Sequence, residues 1–228
     1  VKFGLKISQN PDYIPPEIFN SVCSLKPSDY SDVGQATVLA TEYTDKLIYS
    51  TATDFLVYNG SFWEESEPKA QGLSQDLTER QLAEADQEIS KIVDEMAKNG
   101  ALAIIAAVGA KKAVHRFNAE QQKTYELYEN ALEYKKYAIK RRDSKAVAAA
   151  LHETIPKLET NPNLLDKNEF LLNCPDGTCD LREGVRSMRG HKHEDLITKE
   201  TLVNPGTQGD GIWQKALDTF FKQDAELI

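Results

Sequence analysis

Helical periodicity over a long central segment, from Asp76 to about Leu158, constrains the fold of this chain more than any other feature. Its first helix has apolar residues at the spacing of an amphipathic face. These residues are Leu82, Ala85, Ile89, Ile92, Val93 and Met96. Asp76 or Thr78 is predicted to cap the N-terminus of this helix, and Asn99-Gly100 is predicted to end it. The pattern predicts a helical middle for the fold.

The helices that follow differ in their surface chemistry. The run ALAIIAAVGAKKAVHRF, from Ala101 to Phe117, begins apolar on nearly all sides, which predicts a buried helix with a basic end in solvent. Tyr125 to Arg142 is predicted to form the next helix, and Ser144 is predicted to cap one more. The tyrosines at 125, 128 and 137 could stack on nucleic-acid bases, but their helical spacing favours packing at the core.

Segments with strand character lie on both sides of this helical middle. Leu47 to Glu65 is rich in β-branched and aromatic residues and contains Asn59-Gly60, a dipeptide typical of tight hairpin turns. Strand character returns after Pro162 in FLLNC, TCDLR and EDLITKETLV. A short helix from Val33 to Thr44 precedes the first strands, and the amphipathic helix IWQKALDTFFKQDAELI closes the chain. The predicted fold class is therefore α+β.

One domain after an N-terminal arm is the predicted organisation. Residues 1–30 are rich in proline and lack periodicity, which is typical of a linker or an arm laid on another part of the protein. Residues 31–228 are predicted to form the domain. Its parts are a helix with a β hairpin (31–75), a helical bundle (76–160), a β hairpin region (161–212) and a final helix (213–228). The Val1 start suggests a fragment of a longer protein.

Charge is distributed unevenly along the chain. The net charge of −9 argues against a surface that attracts polyanions everywhere. Two clusters of basic residues nevertheless stand out, and a local stripe of phosphate contacts is one interpretation of them. A solvated helix face is the commoner interpretation of such a run. The candidate DNA-contact residues are Lys111, Lys112, Arg116, Lys135, Lys136, Lys140, Arg141 and Arg142.

Two cysteines and two histidines raise the question of a zinc site. Cys174, Cys179, His191 and His193 offer thiolates and imidazoles, which suit tetrahedral zinc. Their spacing favours a hairpin instead, because Asp176-Gly177 is a strong two-residue turn and His-x-His places two rings on opposite sides of a strand. The turn would make the two cysteines directly opposed cross-strand partners. We therefore predict no metal here and keep a zinc-stabilised domain as an alternative.

Known catalytic and cofactor motifs are missing from the sequence. There is no G-x-x-x-x-G-K-[ST] phosphate loop, no G-x-S-x-G, no H-E-x-x-H and no Gly-rich dinucleotide fingerprint. No apolar run approaches a membrane span, and the first residues do not resemble a signal peptide. Three cysteines are too few for a disulfide framework. These features predict a chain without catalytic residues or a cofactor, in the cytoplasm and not at a membrane.

Three segments resemble a domain of viral and plasmid replication proteins. LLNCPDGTCDLREG, from Leu171 to Gly184, resembles the N-G-x-x-D-L-x-x-G hairpin of the domain that precedes the superfamily 3 helicase in phage and plasmid primase–helicases. The segment from Ser31 to Ser66 resembles the opening of that family, with Asp32, Gly34, Ala36, Tyr58, Gly60 and Trp63 at matching places; Gln35 replaces its usual Asn. The final helix resembles the one that leads into the ATPase domain.

The resemblance implies a role in DNA replication. The domain would link a primase module to a helicase module, both outside this chain, in a phage or prophage protein of the bacterial cytoplasm. That parent protein would be a hexamer. The resemblance implies no catalytic residues for the domain itself. DNA contact through the basic clusters is the first hypothesis. A protein-docking module that uses the exposed side of Trp213, Phe220 and Phe221, without DNA binding, is the alternative.

Overall fold

The fold combines helices with two small antiparallel sheets, which confirms the α+β prediction. The computed structural model describes residues 24–206 and 209–221. Within these ranges the helices are α1 (Asp32–Glu42), α2 (Glu67–Lys98), α3 (Ala101–Val108), α4 (Ala110–Ala113), α5 (Ala119–Lys140), α6 (Ser144–Leu158) and α7 (Asp210–Phe220). The strands are β1 (Leu47–Ser50), β2 (Asp54–Tyr58), β3 (Trp63–Glu65), β4 (Leu171–Cys174) and β5 (Gly177–Asp180).

The chain divides into two compact units that interleave in sequence. The described part of the first unit comprises residues 24–44 and 67–158, and it is helical. The second unit comprises residues 45–66 together with the described residues from 159 onward, and it contains both sheets and α7. The boundaries predicted at residues 30, 75, 160 and 212 stay predictions.

The first unit is a bundle in which α1 packs on α6 and α2 packs on α5. Ser31 caps α1, because its hydroxyl accepts a hydrogen bond from the Gly34 amide at 3.0 Å. A reciprocal capping box between Asn118 and Gln121 starts α5. The predicted helices over 33–44 and 125–142 and the predicted helix start at Ser144 are confirmed.

Helix α2 begins nine residues before the predicted cap, at Glu67. Pro68 lies in its first turn, where a missing amide proton is tolerated. Asp76 and Thr78 are therefore interior residues of the helix rather than caps. The Thr78 hydroxyl donates to the Gln75 carbonyl, and Asp76 accepts a hydrogen bond from the Tyr43 hydroxyl at 2.6 Å. Gly100, in the left-handed region at φ 81°, separates α2 from α3 as predicted.

Helix α3 is not the buried helix that its apolar sequence predicts. Of its eight residues only Ala101 is buried. Leu102 and Ile105 pack against the cluster of Ile92, Met96, Ala101 and Ala131, whereas Ala103, Ala106 and Ala107 are exposed. The apolar run is short and ends at Gly109, so the bundle covers one side of it only.

A buried network of polar side chains joins α1, α2 and α5. The amides of Gln35 and Gln81 exchange hydrogen bonds of 2.9 and 3.0 Å. Gln35 Oε1 also accepts from the Tyr137 hydroxyl at 2.9 Å, and Gln81 donates to the Leu25 carbonyl at 2.8 Å. Each buried amide is thus paired, which removes the cost of desolvating it. Leu25, within the predicted arm, is buried on this bundle.

The second unit is built on a three-stranded antiparallel sheet in the order β1-β2-β3. Trp63 is its largest buried side chain; its indole nitrogen donates to the His193 carbonyl and its amide to the Ile197 carbonyl, each at 2.8 Å. Tyr58 pairs with Trp63, so the loop between them has four residues. Only Gly60 has a positive φ there, which corrects the two-residue turn predicted for Asn59-Gly60.

The second sheet is the predicted hairpin, but its turn lies one residue earlier than expected and the strand pairing is shifted by two residues. Cys174 pairs with Gly177, and Leu172 pairs with Cys179. The turn is therefore centred on Pro175-Asp176, and the cysteines are diagonal neighbours instead of direct partners. A Cβ on Gly177 would lie 2.3 Å from the Arg189 carbonyl oxygen, so the close approach of that segment requires glycine at the first position of β5.

The predicted strand EDLITKETLV is not a strand. His193–Asp195 forms a 3-10 turn, Leu196 adopts the left-handed region at φ 51°, and the following residues lack a ladder partner in the described chain. Single backbone hydrogen bonds tie Ile197 to Trp63 and Thr201 to Asn173. The final helix is confirmed over Asp210–Phe220; residues 222–228 of the prediction lie outside the described residues.

Candidate nucleic-acid interface

The eight candidate DNA-contact residues all lie in the first unit, at opposite ends of α5. Lys111 and Lys112 belong to α4, and Arg116 to the 3-10 turn before α5. Lys135, Lys136 and Lys140 lie in the last turns of α5 and are followed by Arg141 and Arg142. A rise of 1.5 Å per residue puts the two clusters about 25 Å apart along the helix.

Three of the eight residues pair with carboxylates of the same unit. Lys135 contacts Asp86 at 2.6 Å, and Arg142 contacts Glu79 at 3.2 Å. Arg141 forms an ion pair with Asp32, and its guanidinium lies 4.9 Å from the centre of the Tyr137 ring. Only 16% of the Arg141 side chain is exposed. Its contacts with Asp32 and Tyr137 connect α5 to α1, so it stabilises the bundle.

The remaining five basic residues form the exposed part of the candidate interface. Lys111, Lys112, Arg116, Lys136 and Lys140 are exposed, and none has an ion pair within the described part of the chain. Lys136 and Lys140 are four residues apart and share one helix face. We refer to these five residues as the free cations.

Acidic residues separate the two ends of this interface. Glu126, Glu129 and Glu133 are exposed on α5 between Arg116 and Lys136. Their carboxylates repel phosphate, so the basic residues do not form one continuous stripe along the helix. The free cations therefore lie at two separate places and do not form the single stripe that the sequence clusters suggest.

The two units differ strongly in net charge. The sequence segments of the second unit contain 9 Lys and Arg against 17 Asp and Glu, a net charge of −8. Those of the first unit contain 18 against 19, a net charge of −1. Nearly all of the excess negative charge therefore belongs to the second unit. A polyanion is repelled less by the first unit, where the free cations lie.

The tyrosines of α5 pack inside the bundle, which confirms the prediction made from their spacing. Tyr137 is buried and Tyr125 and Tyr128 are partly buried. Burial raises the pKa of Tyr137 to about 12, and burial with the Asp76 hydrogen bond raises the pKa of Tyr43 to about 12. The sequence did not indicate Tyr30, a residue that is 38% exposed and whose ring stacks on that of Tyr137 with 4.5 Å between the ring centres.

The four candidate zinc ligands do not come together. Cys174 and Cys179 are buried and point to one face of the β4–β5 hairpin. Asn173 alternates with Cys174 and points to the other face, where its Oδ1 lies 2.9 Å from His191 Nδ1. His193 contacts Glu194 instead. Among the described residues no group of three or more His, Cys, Asp or Glu side chains has the geometry of a metal site.

Several residues of the recognised motifs have structural roles. A Cβ on Gly34 would lie 2.3 Å from the Asp29 carbonyl oxygen, so only glycine fits that turn of α1. Asp180 forms an ion pair with Arg182, whose hydrogen bonds lower the pKa of Asp180 to about 2. The Arg182 guanidinium in turn lies 5.0 Å from the centre of the Phe170 ring. The motifs thus mark close packing and turn geometry in both units.

A match to a known family gives the class of this domain. The family model described as "D5 N terminal like" matches residues 36–222, which is most of the chain. The chain belongs to this family, which is a domain of primase–helicase proteins. The search of the curated proteins returned no match. No helix in the described ranges has both the length and the apolar character needed to cross a membrane.

Proposed function

We propose that this domain links the priming and helicase modules of a phage or prophage primase–helicase and contacts DNA with its first unit. Membership of the family supports the association with such a protein. The observation that carries the DNA contact is the exposure of Lys111, Lys112, Arg116, Lys136 and Lys140 without ion pairs in the described chain. DNA and the adjacent helicase and primase domains are the partners that this role requires.

The free cations suit contact with phosphate rather than with base edges. Lysine ammonium groups on a flexible stem bind phosphate as point charges and carry no sequence information. Acidic residues between the two clusters limit the contact to the ends of α5. We therefore expect weak, sequence-independent binding that depends on salt.

We infer that the chemistry of the parent protein takes place outside this domain. The sequence lacks the phosphate-binding loop that ATP hydrolysis requires. The domain therefore acts without a cofactor of its own, in the cytoplasm of the bacterial host, within a parent that assembles with a hexameric ATPase.

Fluorescence anisotropy with labelled single-stranded and forked DNA tests the DNA contact. The informative variant is the double charge reversal Lys136→Glu with Lys140→Glu. Its matched control is Lys192→Glu with Lys199→Glu, which makes the same charge change on exposed residues of the second unit. Arg141 must stay, because its reversal would place a carboxylate beside Asp32 and disturb the bundle. Loss of binding in the first variant alone supports the proposal, and equal binding by both variants refutes it.

A docking role is the second candidate function, and α7 supports it. Ile212, Trp213, Phe220 and Phe221 are 77, 62, 75 and 38% exposed, so the apolar face of this helix has no cover within the described residues. Large exposed apolar faces of this kind are typical of protein contacts. If docking is the sole function, the DNA titration shows no binding at any salt concentration. Trp213→Ser would then weaken association with the adjacent helicase module.

A further inference from the structure

An open groove of about 500 Å³ lies in the second unit, on the segments before β4 and around the 3-10 turn of His193–Asp195. Its apolar lining includes Leu164, Phe170 and Leu196. Leu164 and Phe170 are 41 and 42% exposed, although both are large apolar residues. We call this feature the acidic groove, because of the charged residues in its wall.

Three carboxylates line the acidic groove, from Glu169, Glu194 and Asp195, against the single cation of Lys167. Asp195 Oδ1 accepts a hydrogen bond from Arg189 at 2.7 Å. The other oxygen, Oδ2, is buried and has no hydrogen-bond partner among the described residues. Asp195 is therefore neutralised by Arg189, and its second oxygen is closed to solvent. Glu169 and Glu194 are exposed, so theirs are the carboxylates that a cation in the groove can reach.

The aromatic ring of Phe170 forms part of the groove wall. The guanidinium of Arg182 already lies over its ring, 5.0 Å from the centroid. The attraction between a cation and the ring quadrupole thus holds a guanidinium at this ring already. The neighbouring Tyr58 is affected by the same negative charges: burial raises its pKa, and Asp195 and Glu194 add to the rise.

We propose that the acidic groove docks a segment of a partner protein that presents an arginine or lysine beside an apolar side chain. The cationic group would lie between Glu169 and Glu194, and the apolar side chain would cover Leu164 and Phe170. Charge complementarity selects this occupant, because the unit that contains the groove has a net charge of −8. The same charge repels nucleic acid, so the groove serves a different partner from the free cations.

A nuclear magnetic resonance titration of the whole chain tests the proposal. The probe is the peptide Ac-Leu-Arg-Leu-NH2, with Ac-Leu-Gln-Leu-NH2 as the uncharged match. We expect the arginine peptide to shift the amide signals of residues 164–171 and 194–196. The glutamine peptide should shift them far less. Equal shifts with both peptides, or shifts elsewhere in the chain, overturn the proposal.

Two variants separate the groove from general attraction to an acidic surface. Glu169→Gln with Glu194→Gln removes two exposed carboxylates of the groove, and we expect it to weaken peptide binding by about three- to tenfold. Glu183→Gln with Glu200→Gln makes the same charge change outside the groove and should bind as the unmodified chain does. Equal weakening by both pairs overturns the proposal. This inference does not rest on DNA contact, which the anisotropy measurement tests separately.

Discussion

At the scale of single residues, close packing and buried hydrogen bonds explain most of the matched motif positions. Gly34 fits against the Asp29 carbonyl, and Gln35, which replaces the usual Asn of the family, pairs with Gln81 and Tyr137 inside the bundle. The sequence identified these positions through resemblance, without their physical reason. The buried amide pair could not be foreseen, because Gln35 and Gln81 are distant in sequence and polar residues usually face solvent.

A Cβ at position 34 should destabilise the first unit. Alanine normally favours a helix over glycine, but Gly34→Ala places a methyl group 2.3 Å from the Asp29 oxygen. We expect a loss of about 2 kcal/mol in the free energy of unfolding, measured with urea. Gly72→Ala is the control, since α2 has open space there, and it should gain about 0.5–1 kcal/mol. A neutral or stabilising Gly34→Ala would contradict the packing described for α1.

Alkaline pH should destabilise the first unit through its buried tyrosines. The pKa values of Tyr43 and Tyr137 are raised to about 12 in the folded chain, above the ordinary value of about 10. Their contribution to stability is therefore complete below pH 10 and is lost as the pH rises toward 12. Urea unfolding between pH 9 and 12 measures the slope. Tyr43→Phe with Tyr137→Phe should flatten it, and an unchanged slope would show that other groups cause the loss.

At the scale of helices and strands, hydrophobic periodicity predicted the positions of these elements better than it predicted their burial and strand register. Most helices and both hairpins lie where the pattern indicated, but α2 begins nine residues early, the run from Ala101 to Phe117 breaks at Gly109, and the strand predicted after His193 is absent. The prediction that α3 is buried was wrong, because an all-apolar sequence cannot show that only one side of the helix packs against a neighbour. The predicted register of the second hairpin was wrong. Asp176-Gly177 favours a turn at these two residues, but the close approach of Arg189 places Gly177 in the strand. The acidic groove had no sequence signal, since distant segments form it.

Acid should weaken the second hairpin at the Asp180–Arg182 ion pair. The pKa of Asp180 is about 2 in the folded chain, below its ordinary value of about 3.9. The stabilisation is therefore complete above about pH 4 and is lost as the pH falls toward 2. Asp180→Asn should be less stable than the unmodified chain at pH 7, and the two should converge near pH 2. A difference in unfolding free energy that is constant across this range would exclude the ion pair as its cause.

At the scale of the whole molecule, the two units differ strongly in net charge. The unit with the free cations is nearly neutral, and the unit with both sheets has most of the negative charge. The sequence located both basic clusters. It did not show that Lys135, Arg141 and Arg142 pair with Asp86, Asp32 and Glu79, because those acids lie on other helices. Five of the eight predicted contacts therefore remain available for phosphate.

The salt dependence of DNA affinity tests the account most directly, because it reports how many phosphates the protein neutralises. If all five free cations contact a single strand, log K against log salt should have a slope of about −3.5. Lys136→Glu with Lys140→Glu should reduce its magnitude by about 1.4 or more. The Lys192→Glu with Lys199→Glu control should keep the full slope. A slope near zero, or the same slope in all three proteins, would contradict the assignment of the free cations to DNA.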